Sequence, residues 1–344
     1  MAQPGDPQDW LGARRAAPFD IVRAAHAELL VTDLRHSREF YVNLLGFVVT
    51  EEDDSAIYLR GYEDRHHHCL VLRSGRVAAA GHLSFLVASE AELERAADHY
   101  RAAGCFTRWL DAGEERGQGR ALRVQDRLGC PLEFFSRMEK VPCLLQRYHL
   151  QQGARMQRLD HFNLHVPDVQ RAFDLYHELG FGCSEYIGGD SGDSTIYAAW
   201  MFRKPHVHDV ALTAGRGPRL HHLGFWAADK DAILNTCDAL GGAGWQETIE
   251  RGPGRHGVSN AFYLYLRDPD GHRIELYTAD YWTGDPDLDP VRWSVNDEQR
   301  RSFWGHTVPE RWYLESSLLQ AADGSTVPVS DPAAQELRQP LLPR

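Results

Sequence analysis

No apolar run in this sequence approaches the ~18 residues that a helix needs to cross a bilayer. The opening stretch MAQPGDPQDWLGARRAAPFD also lacks the apolar segment of a signal peptide. The expectation is a soluble, cytoplasmic protein with no membrane partner. Basic residues are the scarcer charge: 37 Lys and Arg stand against 49 Asp and Glu, a formal net charge of −12. That balance argues against nucleic acid, because phosphate neutralisation needs a basic face. An anionic ligand would have to meet a local group of arginines. Closely spaced cysteines are missing too. Cys69, Cys105, Cys130, Cys143, Cys183 and Cys237 form no C-x-x-C pair and no dense framework. A zinc knuckle or disulfide scaffold is therefore not expected, and the thiols read as reduced and packed. With 344 residues, 43% of them hydrophobic and 25% charged, the composition is that of a globular chain with room for two domains.

What the sequence does contain is a duplication. HAELLVTDLRHSREFYVNLLGF, beginning at His26, resembles HFNLHVPDVQRAFDLYHELGF, beginning at His161, with Val31 and Val166, Asp33 and Asp168, and Tyr41 and Tyr176 at constant offsets. GHLSFLV from Gly81 matches HHLGFWA from His221, and GCPLEFF from Gly129 matches GHRIELY from Gly271. Each half reads as two similar units, in which an alternating strand and an amphipathic helix precede several antiparallel strands. Asp33 and Asp168 are placed to cap two helices, and Ser89 with Glu92 has the S-x-x-E form of a capping box. The expected class is α+β: two tandem domains, each of two βαβββ modules. The boundaries are a tail over 1–18, domains over 19–150 and 151–283, and an extension over 284–344. In that extension DPVRWSVNDEQRRSFWGH is expected to pack, and ADGSTVPVSDPAAQELRQPLLPR to be frayed.

In the second half His161 and His222 sit near the starts of strands, and Glu275 follows the turn DPDGH. Two imidazoles and one carboxylate form a facial set that leaves adjacent positions open, which suits Fe(II) and oxygen chemistry. A lone strand histidine is more often packed than ligating, but three candidates at matching places in a repeat outweigh that. Of the pair His221–His222, the second aligns with His82 and shares a strand face with Gly224, so His222 is the expected ligand. If Pro269, Asp270 and Gly271 form a three-residue hairpin loop, Asp268 pairs with His272 and Tyr265 falls opposite Glu275. The loop Arg251-Gly-Pro-Gly-Arg255-His256-Gly257 leads into no helix and is not a phosphate loop, although arginine is the side chain best suited to a carboxylate.

His26, His82 and Glu133 occupy the same three repeat positions in the first half. There Arg123 stands where the second half has Tyr265, the GRHG loop is missing, and a cation beside a dicationic metal is repelled. His68 does align with His208. A vestigial first site and an active second one are expected.

These residues together resemble the type I extradiol ring-cleaving dioxygenases of the vicinal oxygen chelate superfamily. The similarity runs over roughly residues 19–310 and is most specific over IERGPGRHGVSNAFYLYLRDPDGHRIELYTADYWTGDPD. The resemblance implies funnel-shaped incomplete barrels with the active site in the C-terminal domain, and His161, His222 and Glu275 as ligands of one divalent metal per subunit. That metal would be Fe(II), with Mn(II) as the alternative, and O2 the co-substrate. It also implies His208 as acid–base histidine and Tyr265 as hydrogen-bond donor beside the metal. Asn163, Trp200, His256 and Val258 would line the pocket, and Arg251 and Arg300 would bind a substrate carboxylate. The substrate so implied is a carboxylate-bearing catechol such as 3,4-dihydroxyphenylacetate, and the assembly a homotetramer. Two readings compete: a glyoxalase-like isomerase or lyase, and a non-catalytic binding protein of the bleomycin-resistance kind.

Overall fold

The computed structural model describes residues 17–190 and 192–332. The expected tail up to residue 16, and the end of the extension from 333, lie outside the described residues. Eight strands make one sheet: β1 (Ile21–Val31), β2 (Val48–Glu52), β3 (Ala56–Arg60), β4 (Leu70–Ser74), β5 (Ala79–Val87), β6 (Phe106–Leu110), β7 (Ala121–Gln125) and β8 (Pro131–Phe135). Nine make a second: β9 (Met156–Val166), β10 (Gly182–Gly188), β11 (Ile196–Phe202), β12 (Val210–Ala214), β13 (Arg219–Ala227), β14 (Ile249–Arg255), β15 (Phe262–Arg267), β16 (Arg273–Thr278) and β17 (Val291–Ser294).

The first sheet runs β2-β3-β4-β1-β5-β8-β7-β6, and the second β14-β15-β16-β13-β9-β12-β11-β10-β17. Adding eight to every strand of the first order reproduces the second read backwards, with β17 as an extra edge. The duplication seen in sequence is thus one topology built twice. In each half two four-stranded modules join along an antiparallel seam, β1 with β5 and β9 with β13.

Helices begin where the sequence marks them. The Asp33 carboxylate accepts the His36 N–H at 3.0 Å, opening α1 (Leu34–Arg38), and Asp168 accepts the Arg171 N–H at 3.0 Å, opening α3 (Val169–Glu178). Ser89 does precede α2 (Glu90–Ala102), but its hydroxyl makes no cap bond, and Glu92 accepts the Asp20 N–H at 2.7 Å instead of closing a capping box. A backbone donor from β1's approach outcompetes the local one. The next helix, α4 (Lys230–Gly242), is capped by Asp229, whose carboxylate accepts the Ala232 N–H.

One apolar core spans both halves. Phe47 meets Phe225 edge-on with ring centres 4.9 Å apart, and Phe85 meets Phe162 at 5.6 Å. The extension departs from its composition. Residues 317–330, those from Ala322 onward expected to fray, bridge both sheets through Ser317 to Leu220, Leu319 to Ala80 and Ser330 to Gly217. Leu319 and Val327 are buried in the core. A polar turn, closed by Ala321 O accepting from Gly324 N at 2.9 Å, separates these two anchors and dominates the local composition. No helix among the described residues is long and apolar enough to cross a membrane.

Candidate metal centre

Three neighbouring strands, β16, β13 and β9, bring the predicted triad together. Gly224 on β13 pairs laterally with Glu275 on one side and with His161 on the other. His222 lies two residues along the same strand. With no side chain of its own, Gly224 leaves the space above it to the His161 ring: a Cβ there would lie 2.1 Å from His161 Cε1. The three donor atoms converge with edges of 3.2 Å (His161 Nε2 to His222 Nε2), 2.9 Å (His161 Nε2 to Glu275 Oε2) and 3.1 Å (His222 Nε2 to Glu275 Oε2). Metal bonds of about 2.1 Å at right angles to one another give an edge of about 3.0 Å. The triad therefore has the dimensions of one face of an octahedron, and the donor set fits a divalent metal.

Burial opposes charge on His161, yet hydrogen bonds to Asp160 and Glu275 outweigh it and raise its pKa, while hydrogen bonds from the neighbouring histidines hold Glu275 well below the carboxylate range against its burial. At His222 burial wins over the pull of Glu275 and lowers the pKa to about 4. His161 Nδ1 donates to Asp160 Oδ2 at 2.9 Å, which leaves the Nε2 lone pair facing the triad. Lys204 lies 3.7 Å from the other oxygen of the fully buried Asp160, and its ammonium donates to the backbone carbonyls of Asp160 and His208.

The remaining predicted residues line one cavity of about 730 Å³, including its mouth, together with the triad: Asn163, Trp200, His208, Arg251, His256, Val258, Tyr265 and Arg300. The His208 ring lies 3.9 Å from that of His161, and burial, reinforced by His161, holds its pKa well below the ordinary value. Its Nδ1 is buried and has no hydrogen-bond partner among the described residues. Tyr265 pairs with Glu275 across β15 and β16, in the register read from the hairpin, and Asp268 pairs with His272. Burial and then Glu275 raise the Tyr265 pKa, so its phenol stays protonated. His256 Nδ1 donates to the Arg301 carbonyl at 2.6 Å, so its Nε2 accepts the Tyr265 hydroxyl at 2.9 Å. Val258 is set by a turn whose Ser259, at φ 62°, donates its N–H to the buried Glu185 at 2.7 Å. Asn163 accepts from the Thr213 hydroxyl at 2.9 Å.

Arg251 is 3% exposed, and among the described residues no carboxylate pairs with it. One guanidinium nitrogen reaches the Arg301 carbonyl and the Ser302 hydroxyl at 2.9 and 2.8 Å, and the rings of Tyr263 and Trp312 lie 4.8 and 4.7 Å away. Of the extension, sequence reasoning named only Arg300 and missed Arg301, Trp312 and Tyr313, which also face the cavity. It missed Asp160 and Lys204 as well. Of these only Asp160, next to a ligand candidate, carried a signal in the chain.

The first-half triad also converges, at 3.2, 3.1 and 3.7 Å. Its carboxylate, however, is taken. Arg123 Nε donates to Glu133 Oε2 at 2.7 Å and Gln118 Nε2 to Oε1 at 2.9 Å. Ser84, between His26 and Glu133, replaces the glycine of the second half.

The model of the Glyoxalase/Bleomycin resistance protein/Dioxygenase superfamily matches residues 23–134 and 158–276. The chain belongs to that superfamily, and its duplicated halves correspond to the two matches. Among solved structures it resembles the anaerobic complex of homoprotocatechuate 2,3-dioxygenase from Brevibacterium fuscum with 3,4-dihydroxyphenylacetate. The two are 48% identical with a TM-score of 0.89, over 92% of this chain and 99% of that one. Curated relatives include the manganese-dependent 2,3-dihydroxybiphenyl 1,2-dioxygenase of Geobacillus genomosp. 3, 31% identical over 83% of this chain and 94% of the relative. The metapyrocatechase of Geobacillus stearothermophilus is 31% identical over 87% and 94%.

Proposed function

We propose that this chain is a metal-dependent extradiol dioxygenase that opens the ring of a catechol carrying a carboxylate. The substrate proposed is 3,4-dihydroxyphenylacetate, and the product 5-carboxymethyl-2-hydroxymuconate semialdehyde. The observation that carries this is the coexistence, in one cavity, of the His161–His222–Glu275 face and the buried Arg251 with no carboxylate partner among the described residues. The first calls for a metal and the second for an anion. A catechol with an acidic side chain supplies groups for both, and the Brevibacterium relative was solved with such a molecule.

His161, His222 and Glu275 would hold a divalent metal, which would supply the Lewis acidity that lowers the pKa of a catechol hydroxyl. The ring bond beside the two hydroxyls breaks, and both atoms of O2 enter the product. His208, whose buried Nδ1 has no hydrogen-bond partner among the described residues, would take a proton from the catechol and return it as the ring opens. The Tyr265 hydroxyl turns from His256 to donate to a ring oxygen as aromaticity is lost. Arg251, assisted by Arg300, holds the side-chain carboxylate, and Trp200, Val258, Asn163 and His256 confine the ring. Fe(II) and Mn(II) both accept this donor set. A cytoplasmic homotetramer is proposed as the working assembly, to be checked by analytical ultracentrifugation.

The test is anaerobic loading with Fe(II), addition of 3,4-dihydroxyphenylacetate, and then air. A yellow semialdehyde with one O2 consumed per ring is expected. No O2 uptake across a panel of catechols would sink the assignment and leave the isomerase, lyase and binding-protein readings.

A further inference from the structure

The register of β13 against β9 slips by one residue. Leu220 pairs with Leu164 and His222 with Asn163, so His221 is the extra residue of a bulge. The bulge re-aims its ring. Instead of projecting away from His222, as strict alternation requires, His221 sits with Nδ1 2.6 Å from His222 Nδ1. Its Nε2 lies 3.0 Å from the backbone carbonyl of Trp312. A carbonyl only accepts, so His221 Nε2 carries the proton. The ring is 2% exposed, and the Arg273 guanidinium donates to its own carbonyl at 3.2 Å. With that proton on Nε2, the Nδ1 lone pair is the acceptor of the 2.6 Å contact and receives the His222 Nδ1–H, which leaves the His222 Nε2 lone pair facing His161 and Glu275. The relay runs from the extension to a face of the triad through two adjacent histidines.

Trp312 lies in the short helix α5 (Arg311–Leu314), beyond the part of the chain that the superfamily model matches. Its indole contacts four groups of the site: the rings of His221 and Tyr265, at 4.5 and 4.4 Å, and the guanidiniums of Arg251 and Arg273, at 4.7 and 4.8 Å. Among the described residues the first half has no equivalent. Its β1–β5 seam carries the same bulge, but the extra residue is Gly81, and the Glu28 side chain fills the space beside it.

We propose that His221 is a positioning residue that couples the seating of residues 311–314 to metal binding by holding His222 in its ligating tautomer. The proposal rests on the metal-site reading above. By linkage, whatever factor the seated segment adds to metal affinity, the metal must add to the seating of the segment.

The experiment titrates Mn(II) into the metal-free full-length protein, with free ion followed by electron paramagnetic resonance. Hydrogen–deuterium exchange of residues 311–314 is measured with and without Mn(II). Wild type should bind one Mn(II), and exchange at 311–314 should slow when it does. His221→Leu should weaken Mn(II) binding by about 10–100-fold, the usual effect of losing a partner to a ligating histidine, and should abolish the exchange response. His221→Gln, whose amide can both accept from His222 and donate to the Trp312 carbonyl, should stay within about threefold of wild type. Binding of His221→Leu within twofold of wild type overturns the proposal. So does wild-type exchange at 311–314 that ignores Mn(II), a measurement needing no variant. Wild type that binds no Mn(II) brings down the metal-site reading as well, which separates the two failures.

Discussion

Gly224→Ala tests the geometry of the centre with a single methyl group. The backbone at Gly224 is outside the left-handed region, so alanine is conformationally acceptable and the effect is steric. The new Cβ would lie 2.1 Å from His161 Cε1, 2.3 Å from Nε2 and 2.5 Å from Nδ1, whereas ordinary contact begins at 3.4 Å. The ring must retreat by 3.4 − 2.1 = 1.3 Å. A metal–ligand distance tolerates about 0.2 Å, so His161 leaves the coordinating set. Overpacking of this kind costs about 1–3 kcal/mol, partly offset by the ~0.5–1 kcal/mol that alanine gains over glycine in the unfolded chain. A melting point lower by a few degrees is expected, with the fold retained. Metal per chain after dialysis, read by mass spectrometry, should fall from about one to near zero, with circular dichroism as the folding control. Ser84→Gly, at the mirrored place in the first half, should leave metal content unchanged. A folded Gly224→Ala protein that keeps one tightly bound metal would refute the placement of His161 over Gly224.

Other outcomes follow from the same site. Arg251→Met should raise KM for 3,4-dihydroxyphenylacetate by about 10–100-fold, the loss of a hydrogen bond to a charged group, and change catechol itself by less than about threefold; equal effects on both would remove Arg251 from carboxylate recognition. His208→Gln should lower kcat by about 10²–10⁴-fold with metal content intact, and near-normal kcat would exclude the proton-transfer role. Burial, then Arg273, lower the pKa of His165 to about 3. The native state thus binds fewer protons than the unfolded chain, and the stability is present above about pH 6.5 and lost as pH falls toward 3. Urea unfolding at pH 7, 6 and 5 should show His165→Gln reducing that loss by about 1.4 kcal/mol per pH unit below 6.5; an unchanged slope would place the proton uptake elsewhere.

Much of the centre was legible because it rests on short-range rules. The hairpin register that sets Tyr265 against Glu275 follows from one tight turn, with Gly271 at φ 84°. Arg123 opposite Glu133 was readable by the same parity. Parity failed at His221, since a bulge breaks period two without leaving a trace in composition. Nor did it reach Trp312 and Tyr313 in the extension, which lie outside the repeat.

The amino-acid sequence alone determined the duplication, the pairing of strands around local turns, and two triads of matching chemistry, because each depends on residue spacing within one module. Tertiary structure decided what distinguishes those triads and how they are charged. Gln118 and Arg123 occupy both oxygens of Glu133, whereas Gly224 clears a space for the His161 ring and Lys204 faces the Asp160 that holds it. Burial holds the His208 pKa down. Solvation and the fields of groups far apart in the chain set these states, and neither exists until the sheets close around them.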